Sequence, residues 1–285
     1  MIYIFYNPLS NNKSGENATK EVEALFSGKE TKKVNALSVK NAKEFFDTLS
    51  PDDEMVLCGG DGTLYHFANE VYGLNPAQKM YYYAAGSGND FQHDCENDEK
   101  VMDKLIPLEK YLESLPVVTV NGTKSYFING IGFGIDGYCC EVGDELRAKS
   151  DDPVNYAGIA IKGLLGKFHP SNAKITVDGV TKTYKKVWLA PTMIGKYYGG
   201  GMMVAPAQDR FNAEKTVSSV VWFGGGKLGT LIKFPKIFSG DHIKFKKNVE
   251  IRTGHEVTVE FDKPQALQID GETVKNVTSY SVSYK

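Results

Sequence analysis

Apolar and polar positions follow two alternating periods through the first third of the chain. Ile2 to Tyr6 is a short β-branched and aromatic run stopped by Asn7-Pro8, which predicts a buried strand entering a loop. Ala18, Val22, Leu25 and Phe26 then fall on one face at helical spacing, with Gly28 as the stop. Asn41 followed by Glu44 predicts a capped helix carrying Phe45, Phe46 and Leu49. Met55 to Cys58 predicts a second strand, broken by Gly59-Gly-Asp-Gly-Thr63. Leu64, Phe67, Ala68 and Val71 continue from there as a helix ending at Gly73. Met80 to Ala85 predicts another strand, ended by Gly86-Ser-Gly-Asn-Asp90. Strands alternating with helices imply a parallel sheet whose ligands bind at the carboxyl ends of its strands, where both glycine loops fall.

The texture changes after about Pro116. Val117 to Val120, Asn121-Gly122 and Lys124 to Asn129 predict a hairpin with a favoured two-residue turn. Lys174 to Val177, Asp178-Gly179 and Thr181 to Leu189 repeat the pattern, and strand-like runs recur at Val217 to Phe223, His255 to Phe261 and Ser279 to Tyr284. Cys139 to Phe168 is the exception, with helical stretches flanking a break at Asp151-Asp152-Pro153. The expected fold class is α/β with two domains, an α/β domain at 1–115 and a mostly antiparallel β domain at 116–285. The boundary falls near 110–118, and the absence of a long linker predicts a shared cleft.

Composition narrows the function classes. A chain of 285 residues is long enough for two cores, and 41% hydrophobic with 24% charged residues excludes wholesale disorder and coiled coil. A formal net charge of -2 argues against nucleic acid as a partner. No apolar run approaches the ~20 residues of a membrane-spanning helix, and the first residues lack a signal-peptide pattern. The four cysteines contain no CxxC pair, so neither a zinc site nor a disulfide framework is expected. These features place the protein in the cytoplasm, in reduced form.

Glycine placement carries the chemistry. Gly59, Gly60 and Gly62 at a strand-to-helix junction let backbone N–H groups turn toward a phosphate, with the positive end of the following helix behind them. Asp61 inside such a loop repels phosphate unless it meets a divalent cation, accepts a proton or orients the loop; a tight turn with Asp61 capping its own helix is the plainer alternative. Gly86, Ser87 and Asn89 repeat the arrangement one strand on, suited to phosphate or ribose, and an ordinary turn is again the alternative. Asn7 through Ser14 and Gly15 follow the first strand, either as a third contact to nucleotide or as a polar loop. There is no Walker loop. Near the other end Asp270 and Glu272 flank Gly271; one of them could take the proton of an attacking hydroxyl, or the pair could form a solvent-exposed turn. Tyr198-Gly-Gly-Gly201 through Pro206 predicts a close backbone approach. His66 is expected on a helix surface. Lys227 to Lys247 interleaves six lysines, opposed by Asp241 alone, with Leu228, Leu231, Ile232, Phe234, Ile237 and Phe238. That composition suits a patch on anionic lipid, or a solvated helix packed by its apolar face.

Together these residues resemble the diacylglycerol kinase catalytic family of lipid kinases. Gly59 to Thr63 resembles its GGDGT motif, and Gly86 to Phe91 its GTxNDF motif with Ser87 where Thr is usual. Asn7-Pro8 with Ser14-Gly15 resembles its NPxSG element, lengthened here. Gly199 to Pro206 resembles the GGG…P stretch, and Asp270-Gly-Glu272 the C-terminal DGE. GGDGT is also found in NAD kinases, so a kinase for a soluble acceptor such as NAD stays open, as does a non-catalytic nucleotide-binding regulator. The resemblance implies a Rossmann-like nucleotide-binding domain plus an antiparallel β-sandwich, ATP and Mg²⁺ in the cleft, and transfer of the γ-phosphoryl group to a lipid hydroxyl, diacylglycerol first among acceptors. It implies nucleotide contacts from Asn7, Ser14, Gly15, Gly59, Gly60, Asp61, Gly62, Thr63, Gly86, Ser87 and Asn89. Asp61 would also serve catalysis, and Glu272, with Asp270 close behind, would be the base. The chain departs from the family at His66, where Glu is common, and at Asp209-Arg-Phe-Asn-Ala-Glu214, where only Asp209 fits a structural-metal loop. The expected partner is a lipid at the inner face of a membrane, with a homodimer left open.

Overall fold

The computed structural model describes residues 1–8, 10, 15–86, 88–96, 104–150, 152 and 154–285. The chain divides into two compact units, Met1–Leu115 and Pro116–Lys285.

The first unit is a five-stranded sheet in the order β2-β1-β3-β4-β5. Its strands are β1 (Ile2–Tyr6), β2 (Thr31–Asn35), β3 (Glu54–Gly59), β4 (Lys79–Ala84) and β5 (Leu105–Pro107). The first four run parallel and β5 pairs antiparallel with β4. Met55, Val56, Leu57 and Cys58 are all buried, the continuous apolar run of a strand covered on both faces. The helices are α1 (Asn17–Leu25), α2 (Ala42–Asp47), α3 (Asp61–Val71), α4 (Asp90–Cys95) and α5 (Glu109–Leu112). Asn41 caps α2 by accepting from the Glu44 N–H at 3.2 Å and donating to its carboxylate at 2.9 Å. That helix stops at Asp47, so Leu49 lies beyond it. Leu64, Phe67, Ala68 and Val71 are the buried stripe of α3.

The second unit is an antiparallel β-sandwich. Its main sheet runs β14-β13-β10-β8-β15-β16-β6-β7, where β14 is Val249–Gly254, and β9 pairs with both β10 and β15. The strands that matter below are β8 (Gly130–Gly134), β10 (Val180–Met193), β15 (Glu256–Ile269) and β16 (Glu272–Ser283). Both predicted two-residue hairpin turns form with both residues at positive φ, Asn121-Gly122 between β6 (Val117–Val120) and β7 (Thr123–Tyr126) and Asp178-Gly179 between β9 (Ser171–Val177) and β10, and Asp270-Gly271 makes a turn of the same kind between β15 and β16. The helical interruption is α6 (Ile135–Arg147) and α7 (Tyr156–Lys162), continued by a π-turn over Gly163–Lys167; residues 151 and 153 of the anticipated break lie outside the described residues. A further helix, α8 (Lys227–Lys233), follows β13 (Val217–Phe223).

Helix α6 is seated on β15 through Gly137, where any side chain would run into the Ala266 carbonyl. Its first turn carries Asp136, only 7% exposed, whose Oδ2 accepts from the Tyr198 hydroxyl at 3.2 Å. Oδ1 is buried without a hydrogen-bond partner. Burial pushes the Asp136 carboxyl up to about 7, against the opposing influence of the Gly137 amide, Tyr198 and Gln268. The thiols of Cys58 and Cys140 are likewise raised to about 12 by burial, which leaves them inert.

The raised Asp136 carboxyl gives stability a signed pH dependence. Its folded value lies above the ordinary 3.8, so between about pH 4 and 7 the folded protein holds a proton that the unfolded chain has lost. The stabilisation is present below that window and fades as pH rises through 7, with a slope of up to about 1.4 kcal/mol per pH unit. Asp136→Asn removes the slope. Urea denaturation at pH 5 and pH 8 is expected to show the variant gaining on the wild type at the higher pH, and parallel curves at both would contradict the assignment.

Candidate functional site

Three loops meet at the carboxyl ends of β1, β3 and β4, which are adjacent in the first unit's sheet. The β3 loop and the β4 loop touch backbone to backbone. A Cβ built on Gly86 would lie 2.6 Å from the Gly60 Cα, so no side chain fits at that crossing. Gly59 is closed against Thr63 in the same way, at 2.6 Å. The Tyr82 hydroxyl, fully buried in β4, donates to the Gly59 carbonyl at 3.0 Å and ties the strand to the loop.

Asp61 is the lock between them. Its Oδ1 accepts from the Phe91 N–H at 2.9 Å and its Oδ2 from the Asp90 N–H at 3.0 Å. These are first-turn amides of α4, which have no partner inside their own helix. The plainer alternative from sequence, a cap on Asp61's own helix, is replaced: Gly60 is the N-cap of α3 and makes no side-chain bond, while Asp61 caps the neighbouring element. Asn89, left-handed at φ 52, accepts the Gly86 N–H on its Oδ1 at 3.0 Å and closes the second loop.

The first loop joins the same place. Gly15 sits against the Asn7 carbonyl where a side chain would collide, and Ser10 Oγ shares a hydrogen bond with Thr63 Oγ1 at 3.1 Å. Asn7, Gly15, Gly59, Gly60, Asp61, Gly62, Thr63, Gly86 and Asn89 therefore belong to one corner of the first unit. Ser14 and Ser87 lie outside the described residues. Ser10 was not singled out by the sequence, because one serine in a polar loop carries no spacing signal. His66 is exposed, its ring edge-on to Tyr65 at 5.2 Å.

The second unit builds its own polar centre around the β15–β16 turn. Asp270, at φ 47, turns its carboxylate onto three successive backbone amides: Ile128 at 2.6 Å, Asn129 at 2.8 Å and Gly130 at 2.9 Å. Arg210, buried at 7% exposure, grips the same segment from its other polar groups, donating to the Ile128 carbonyl and, at 2.9 Å, to Asn129 Oδ1. The Asp209–Arg210 loop and the DGE turn are thus brought to one short stretch of chain. Gln268 supports the turn by accepting the Gly271 N–H at 3.0 Å, and the same side chain lies beside Asp136. Glu272 is exposed at the start of β16, opposite Ile269.

Asp270 and Glu272 are therefore not equivalent. The first spends its acceptor positions on backbone amides, whereas the second is presented outward from the turn that the first holds. Asp209 is exposed and accepts the Phe211 N–H at 2.9 Å, an ordinary turn bond. Among the described residues no three His, Cys, Asp or Glu side chains converge as a metal site. The Gly199, Gly200 and Gly201 run has φ of 65, 81 and 95 in the turn joining β11 (Tyr197–Tyr198) to β12 (Met202–Met203). Its glycines are required by left-handed φ, and further along the stretch Pro206 lies against Gly240, where a Cβ would come within 2.7 Å of its ring. Arg210 and Asp136 were missed as contributors, since a lone Arg and a lone Asp in apolar surroundings form no motif.

Comparison with known proteins gives the same division. Residues 1–119 match the diacylglycerol kinase catalytic domain, and residues 129–282 match the YegS C-terminal NAD kinase beta sandwich-like domain. A Bacillus subtilis (strain 168) protein named "Putative lipid kinase YtlR" is 24% identical over 183 residues, 59% of this chain and 57% of its own length. The chain thus spans under two thirds of that relative. A Mycobacterium tuberculosis (strain CDC 1551 / Oshkosh) protein named diacylglycerol kinase is 23% identical over 219 residues, covering 74% of this chain and 67% of the relative. In fold, the crystal structure of a "putative diacylglycerol kinase" from Bacillus anthracis str. Sterne superposes with a TM-score of 0.69 at 17% identity, over 100% of this chain and 92% of that one. On its two domain matches, the chain belongs to the diacylglycerol kinase catalytic-domain family.

Proposed function

We propose that this protein is an ATP-dependent lipid kinase that transfers the γ-phosphoryl group to a lipid hydroxyl, with diacylglycerol as acceptor and phosphatidic acid as product. The observation that carries the reading is the Gly60–Gly86 crossing locked by Asp61, because it gathers side-chain-free backbone and the start of an eleven-residue helix at one corner of a parallel sheet. Such a corner suits a polyphosphate: N–H groups and the helix N-terminus supply positive potential, and Thr63 and Ser10 add hydroxyls. When bound, ATP supplies the phosphoryl group. Mg²⁺ bound with the nucleotide would supply charge neutralisation at the phosphates.

Phosphoryl transfer needs positioning and charge neutralisation more than covalent help from the protein. Asp61 is a positioning residue, holding the second loop to the first. Glu272 is the base that takes the proton from the acceptor hydroxyl, and Asp270 with Arg210 fixes the turn that carries it. The direct test is purified protein with ATP, Mg²⁺ and diacylglycerol in mixed micelles, which is expected to yield phosphatidic acid. A panel of diacylglycerol, sphingoid and phosphatidylglycerol-like acceptors that all stay unphosphorylated would overturn the reading, and conversion of NAD to NADP would replace it.

Three variants separate the roles. Glu272→Gln is expected to lower kcat by about 10²- to 10⁴-fold with an unchanged melting temperature. Asp270→Asn turns an amide group onto the Ile128 N–H and is expected to cost about 2 kcal/mol or more of stability, with activity falling as a consequence. Equal losses of stability in both variants would contradict the division of labour. Asp61→Ala is expected to abolish product and weaken nucleotide binding about tenfold or more, read by titration calorimetry. Retained affinity would show that the two loops do not need their lock.

A further inference from the structure

Two neighbouring elements of the second unit are apolar on both faces. In α7 and its π-turn, Ile159 and Leu164 are buried in the core while Ile161 and Leu165 stand 49% and 59% exposed. In α8 and the turn after it, Leu231 and Ile237 pack against the same core, while Leu228 and Ile232 stand 67% and 70% exposed. Each element thus directs an aliphatic pair, one helical turn apart, into solvent. The elements touch: the Lys227 ammonium at the head of α8 donates to the Gly166 carbonyl of the π-turn at 2.6 Å. A helix with apolar residues all round is ordinarily buried, so these outward pairs call for a covering.

Charge identifies the covering. Residues 154–169 and 224–240 carry Lys162, Lys167, Lys227, Lys233 and Lys236 and no Asp or Glu, in a chain whose net charge is -2. A second copy of this chain is a poor occupant, because a two-fold interface sets the same lysines against themselves. Aliphatic side chains interleaved with lysines fit the boundary between acyl chains and anionic headgroups, where the apolar tips insert and the ammonium groups stay at the surface.

We propose that the face formed by α7, its π-turn and α8 docks the protein on an anionic lipid bilayer, with Ile161, Leu165, Leu228 and Ile232 as the inserting residues. The proposal deepens the lipid-kinase reading by naming how the enzyme reaches an acceptor that resides in a bilayer, and it joins the 156–167 region to the basic segment evident in sequence.

Co-sedimentation with vesicles tests it, using either phosphatidylcholine alone or equal parts of phosphatidylcholine and phosphatidylglycerol. The wild type is expected to bind the anionic vesicles, to be released by added salt, and to leave neutral vesicles in solution. Leu165→Asp with Ile232→Asp is expected to weaken that binding about tenfold or more, and Lys162→Glu with Lys236→Glu to do likewise. The lysine pair keeps the test intact should the apolar pair impair folding, which thermal denaturation reports. Both double variants should phosphorylate a monomeric short-chain diacylglycerol at the wild-type rate. Absence of wild-type binding, equal binding by wild type and both variants, or a wild-type dimer that the aspartate variant dissociates would overturn the docking face. Vesicle binding lost in the variants, with no lipid phosphorylated by any form, would uphold the face and refute the kinase reading alone.

Discussion

Aspartate carboxylates that collect backbone N–H groups from a neighbouring segment recur through this protein. A sheet or helix leaves donors unpaired wherever it begins, and a buried unpaired donor costs more than most single contacts return. Asp61 takes the first-turn amides of α4, Asp270 takes Ile128, Asn129 and Gly130, and Asp178 takes His255 and Glu256 from the next strand. Each of these bonds is charge-assisted, hence stronger than a neutral one. Each also fixes a loop that the strands alone would leave free. Both polar centres are built from such loops, so the same bonds that satisfy the backbone set their geometry.

Glycine and aspartate act jointly at the first of these centres. Gly60 and Gly86 allow the two backbones to meet, and Asp61 keeps them there. Neither feature alone would fix the two loops: glycine adds freedom that the lock must remove, and the carboxylate is held there by the donors its charge is turned onto. In the second unit the same logic applies with Arg210 as counter-charge. Asp270 grips the N–H groups of one short segment while Arg210 grips its carbonyl and side-chain oxygens, and Glu272 is left outward-facing on the turn they brace.

Much of this was legible in sequence, for identifiable reasons. The buried strands β1, β3 and β4 are continuous apolar runs, the turns Asn121-Gly122 and Asp178-Gly179 have strong local chemistry, and the Asn41–Glu44 cap acts within three residues. What escaped is non-local or atypical. Strand β2, Thr31-Lys-Lys-Val-Asn35, lies at a sheet edge and shows no alternation. Strand β8 reads Gly130-Ile-Gly-Phe-Gly134, and its glycines mask a strand that is fully buried because Asp136, Pro191 and Trp188 press on it. The partners of Asp61 and Asp270 stand 29 and 142 residues away at the nearest and farthest, beyond the reach of any spacing rule. Arg210 and Asp136 earn their places only through burial.

The most direct test of the central claim is amide hydrogen exchange at Asp90 and Phe91, compared between the wild type and Asp61→Ala. If the carboxylate holds these two donors, their exchange accelerates about tenfold or more in the variant, while amides in the middle of β3, such as Val56, keep their protection. Unchanged protection at Asp90 and Phe91 would mean that α4 is held by something other than Asp61, and the account of the locked loops would fail.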